Sequence, residues 1–129
     1  MVGRVFLDRI QNAIHHPAVD HPRVLTDRLW PRGLRKEALG DIQWYKEASP
    51  STELRKVFHA GELDVPAFQI AYTKQLLSEA SCLDPLLTLL NNGDITLLTA
   101  TKDASTSYLS VLKAVLLDRA THRHNVKAP

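Results

Sequence analysis

The 129-residue chain has one cysteine, Cys82, and so closes no intramolecular disulfide. That absence fits a reducing cytosol and leaves stability to the packed core. No stretch approaches the roughly 20 apolar residues of a membrane span. The opening Met1-Val2-Gly3-Arg4-Val5-Phe6-Leu7-Asp8 also lacks the long apolar run of a secretory signal. A soluble, cytoplasmic protein without a membrane role is expected. GxGxxG, Walker-type, GxSxG and HExxH patterns are missing, which removes the usual nucleotide, hydrolase and zinc-protease signatures. Internal repeats, low-complexity tracts and interdomain linkers are missing too. No cofactor can be named on these grounds.

What is present is enough for one core. At 44% hydrophobic residues, a chain of this length reads as a single domain over 1–118. Residues 119–129 lose the apolar rhythm and are expected to form a flexible basic tail. The formal charge is only +2, but residues 23–36 set Arg23, Arg28, Arg32, Arg35 and Lys36 against Asp27 alone. That segment is net +4, and the rest of the chain carries the remaining −2. A local positive patch on a near-neutral body suits a small anion or an acidic partner better than a long polyanion such as nucleic acid.

Hydrophobic spacing outlines the elements. Arg4-Val5-Phe6-Leu7 and residues 23–27 read as strands, separated by a loop with two X-Pro bends. Lys36 to Gly40 suits a short helical turn, and Ile42, Trp44 and Tyr45 an irregular strand or a packed loop. Ser49-Pro50 is expected to cap and open a helix carrying Leu54, Val57 and Phe58. Asp64-Val65-Pro66 opens another, with Phe68, Tyr72 and Leu76 at four-residue spacing. Leu83, Leu86, Leu87 and Leu90 form a further helical stripe that Asn91-Asn92-Gly93 ends. Ile95 to Ala100 is the strongest strand, and a last helix follows with Leu109, Leu112 and Leu116 inward. The alternation predicts an α/β fold: a mainly parallel sheet of about four strands flanked by helices.

Within that frame, Asp27-Arg28-Leu29-Trp30-Pro31-Arg32-Gly33 stands out. Arginine offers a planar fork suited to carboxylate or phosphate, tryptophan a rigid surface, and Pro-Gly a fixed bend. Ligands of parallel sheets lie off the carboxyl ends of the strands. There this loop and the turn at 101–107 are expected to meet. Asp27, Arg28, Trp30 and Arg32 are candidate ligand contacts, joined by Ser105 and Thr106 at the start of the last helix. Lys102 and Asp103 are the candidate proton donor and acceptor. Each has a plainer reading: the arginines can clamp the loop by pairing with Asp27 or Glu53, Trp30 can be a packing anchor, and Asp103 can cap a helix. His15, His16 and His21 with Asp20 lack the partners of a zinc site, so no metal is assigned. Cys82 reads as a buried inert thiol. His59 either closes its helix or faces the site.

The same run, with Ala48-Ser49-Pro50-Ser51-Thr52-Glu53-Leu54-Arg55-Lys56, Val57-Phe58-His59, Thr96-Leu97-Leu98 and Lys102-Asp103, resembles the YeaO-like family of small bacterial proteins, a domain of unknown function. The likeness spans roughly residues 23–117 of the single domain. It implies a small cytoplasmic α/β protein and brings no reaction, cofactor or catalytic residue. The chain departs from the family at Val57, where tryptophan is common, and at Ala104-Ser105-Thr106-Ser107-Tyr108, where a His-Asn pair often follows the acid matched by Asp103. Two functions stay open: a binder of a small anionic metabolite, with or without catalysis, and a non-enzymatic module for an acidic protein surface or RNA.

Overall fold

A computed structural model describes residues 2–16, 20–102 and 108–127, with side chains given as far as residue 121. Four parallel strands form one sheet: β1 (Val5–Arg9), β2 (Arg23–Leu25), β3 (Gln43–Trp44) and β4 (Ile95–Thr99), in the order β1-β4-β2-β3. Among the described residues, five α-helices accompany them: α1 (Ile10–Ala13), α2 (Thr52–His59), α3 (Val65–Ser78), α4 (Asp84–Asn92) and α5 (Tyr108–Lys127). The sheet is the α/β architecture expected from the alternating elements.

Period-two alternation sends neighbouring residues to opposite faces. Val5, Val24, Ile95 and Leu97 meet a large cluster built from the stripes of α3, α4 and α5, including Tyr72, Leu76, Leu87, Leu90, Leu112 and Leu116. Leu25 and Leu98, one residue on, point to a smaller cluster with Ile10, Ala13, Leu39 and Ile42. Burying each such side chain contributes about 1.5–3 kcal/mol, so the helical face carries most of the stability. β4 lies between β1 and β2 and pairs with both, from Val5↔Ile95 to Arg9↔Thr99 and from Arg23↔Thr96 to Leu25↔Leu98. Its apolar, β-branched composition suits that interior place.

Three local expectations need correction. The stretch after β1 begins with a short helix, α1, because Ile10 and Ala13 bury themselves on one side of a single turn. The cap of α2 is Ser51, whose Oγ accepts from Leu54 N at 3.0 Å. Ser49 stands two residues earlier and turns its own hydroxyl to Lys46 O at 2.6 Å. Finally, α5 continues through residues 119–127, where a tail was expected. Nothing between Asp118 and Lys127 breaks a helix, and Ala120 reaches the large cluster. Asp64 does cap α3, accepting from Ala67 N at 2.9 Å. No helix among the described residues is long and apolar enough to cross a membrane.

Candidate functional site

Because β2 and β4 are parallel neighbours, the segments leaving their carboxyl ends emerge side by side. Asp27, two residues past β2, joins them. Its Oδ1 accepts from Thr99 Oγ1 at 2.6 Å and from the Tyr108 hydroxyl at 2.6 Å, and its Oδ2 accepts from Ala100 N at 2.8 Å. Thr26 Oγ1 lies 2.9 Å from the same phenol and donates to it, since the phenol proton points to Asp27. One carboxylate thereby ties β2, β4 and α5 together, with three donors directed at its charge. Burial, and then the adjacent Asp27 carboxylate, push the Tyr108 hydroxyl well above the ordinary tyrosine value of 10.0. Tyr108 therefore stays a donor at neutral pH.

Arg28 turns the other way. Its Nε donates to Pro50 O at 2.9 Å and its Nη2 to Ser49 O at 3.2 Å. These carbonyls precede α2, so no helical amide claims them. The segment that presents them is itself fastened. Gln75 of α3 donates to Ser49 O at 2.9 Å and accepts from Ser51 N at 2.9 Å, and Tyr72 donates to Ala48 O at 2.5 Å. The guanidinium is thus held along its Nε–Nη2 edge by backbone, rather than by Asp27 or Glu53. Its Nη1 end has no hydrogen-bond partner among the described residues.

That side chain borders a hollow of about 290 Å³, between the strand ends, α2, α3 and the start of α5. Asp27, Arg28 and Thr101 come from the strand-end loops, Ser49 and Pro50 from the segment before α2, and Tyr108 and Val111 from α5. Helix α2 adds Arg55, Phe58 and His59, and α3 adds Phe68 and Gln69. Arg55 and His59 are four residues apart and so share a helix face. Phe58 and Phe68 stack with ring centroids 4.4 Å apart. Exposed Leu29 and Val65 also line the hollow. Among the described residues, the lining contains two arginines and one carboxylate.

The remaining sequence candidates separate. Trp30 packs with the smaller cluster, on the opposite side of the sheet from α3 to α5. Its indole N–H donates to Leu34 O at 2.7 Å, and its ring meets Trp44 edge-on at 5.0 Å. Pro31 is buried, Gly33 turns the chain with φ +78°, and Arg32 points outward, exposed and away from the hollow. Lys102 is exposed and does not line the hollow either. Asp103, Ser105 and Thr106 lie outside the described residues. His59 closes α2 and borders the hollow as well, so both sequence alternatives hold for it. His21 stacks on Phe6 and bonds to Thr96, and no group of three potential metal ligands occurs among the described residues. Burial first, then the charges of Glu79 and Asp84, raise the Cys82 thiol above its usual value, which keeps it protonated at neutral pH.

Residues 4–129 match a family described as the inactive DUF488-N3 subclade. The chain belongs to that subclade. Two uncharacterized bacterial proteins are similar over most of the chain. The uncharacterized protein YeaO of Escherichia coli (strain K12) is 38% identical over 93 residues, covering 72% of this chain and 81% of its own. The uncharacterized protein Rv3073c of Mycobacterium tuberculosis (strain ATCC 25618 / H37Rv) is 34% identical over 100 residues, covering 78% and 84%. No solved structure matches the chain. The loop containing Arg28 and the α2 segment containing Arg55 both fall inside the DUF488-N3 match.

One part of the site escapes sequence reasoning. Thr99 and Tyr108, the holders of Asp27, lie 72 and 81 residues from it in the chain. Arg55, Phe58 and His59 did carry a local signal. They occupy i, i+3 and i+4 of one helix, where two cationic or polar side chains flank an aromatic.

Proposed function

We propose that this protein binds a small anionic ligand in the hollow, with Arg28 as the fixed anchor and Arg55 as the second cation. The observation that carries the reading is the way Arg28 is held. Backbone carbonyls grip one edge of the guanidinium, its Nη1 end has no partner among the described residues, and the side chain lines a concave space. A preoriented fork of this kind loses little entropy when it takes a carboxylate or phosphate oxygen. A binding role fits better than a catalytic one: the Asp27 carboxylate already serves three donors, Cys82 is protonated, and the subclade is described as inactive. Arg32 and Lys102, expected at the ligand, have no place in this reading.

The test is thermal stabilisation of the full chain by sulfate, phosphate and acetate. Arg28→Lys and Arg55→Gln should each reduce the stabilisation strongly, and Arg32→Ala should leave it intact. Equal responses from all three variants would count against the hollow. The exposed Arg32, Arg35 and Lys36 favour a second reading, a flat contact with RNA or an acidic surface. It predicts salt-sensitive RNA binding that Arg32→Ala weakens and Arg28→Lys does not.

A further inference from the structure

We infer that the ligand of this hollow is a small monocarboxylate with a ring or branched apolar body. The inference rests on the anion reading above and adds the rest of the molecule. Charge sets the first limit. Among the described residues, two arginines face Asp27 alone, and that single positive excess matches a monoanion better than a phosphate dianion. Geometry sets the second. With Nε and one Nη2 hydrogen of Arg28 committed to Pro50 and Ser49, the edge without a partner among the described residues is Nη1 with the other Nη2 hydrogen. That edge offers two parallel donors, the pattern a planar carboxylate accepts side by side.

The apolar lining sets the third limit. Phe58 lies between Arg55 and His59 on α2 and stacks on Phe68 behind it, so one aromatic surface stands beside the cations. Leu29 and Val65 are 62% and 54% exposed although both are large and apolar. They line the same space, and an apolar ligand body would cover them. At about 290 Å³ the space is at the small end of the roughly 300–1,000 Å³ usual for ligand pockets, which suits a single ring.

Calorimetric titration of the full chain with acetate, benzoate, benzyl alcohol and inorganic phosphate tests this. Benzoate should bind about tenfold or more tightly than acetate, since burying a ring contributes over one order of magnitude in affinity. Benzyl alcohol, which keeps the ring and lacks the charge, should bind far more weakly than benzoate. Leu29→Asp sits on an exposed side chain and leaves the core alone; it should remove most of the preference for benzoate over acetate. Phe58→Leu should reduce that preference by a smaller factor. If acetate and benzoate bind equally, or phosphate binds tightest, the monocarboxylate assignment fails while the anion site stands. If no anion binds and benzyl alcohol does, both readings fail.

Discussion

Asp27 to Gly33 is continuous in sequence, yet its two halves belong to different parts of the molecule. Asp27 and Arg28 face the helix-covered side, where one locks the strand ends together and the other lines the hollow. Trp30 packs toward the opposite side, Pro31 is buried, and Arg32 is exposed to solvent. Trp44 links the halves, meeting Trp30 edge-on while donating to Asp27 O at 2.8 Å. The lesson is that a dense motif need not be one site. The first half fastens the strand ends and lines the hollow, and the second half pins the loop on the other side.

Substitutions in the two halves should separate. Asp27→Ala has the largest expected effect, because it strands two hydroxyls and an amide that now share one carboxylate. A loss of about 3–5 kcal/mol in urea unfolding is expected. A loss under about 1 kcal/mol would mean that the carboxylate is not the link between β2, β4 and α5. Trp30→Ala comes next, at about 2–3 kcal/mol, since the ring is only half-buried. It should leave anion binding nearly unchanged below the melting transition. Loss of binding in a folded Trp30→Ala protein would erase the division between the halves.

A smaller effect appears at alkaline pH. The folded structure raises the hydroxyls of Tyr72 and Tyr108 well above 10.0 and that of Tyr45 above it, in each case through burial first. The stability these phenols add is complete below the unfolded value and disappears as pH rises through their folded values. Tyrosinate absorbance near pH 10 should therefore be much lower in the folded chain than in the unfolded chain. Tyr108→Phe should weaken the decline of stability at high pH. Normal ionisation of all three tyrosines in the folded protein would contradict the Asp27–Tyr108 lock.

Most of the fold was legible because its signals are local. The stripes Phe68-Tyr72-Leu76 and Leu86-Leu87-Leu90 are wholly buried, and the run Ile95 to Thr99 does become an interior strand. Legibility failed where two local solutions were equal. In Ser49-Pro50-Ser51 either serine can cap; Ser49 lost because its backbone carbonyl serves Arg28 and Gln75 instead. It also failed where partners are distant. Nothing near Asp27 in sequence shows that Thr99, Ala100 and Tyr108 will close on it, and nothing near Arg32 shows that it will miss the hollow that Arg28 lines.

A crystal of the full chain soaked in benzoate tests the central claim most directly. The account predicts a carboxylate seated within hydrogen-bond distance of Arg28 Nη1, its ring toward Phe58. Density for benzoate at Arg32 or elsewhere on the surface, with none in the hollow, would contradict it.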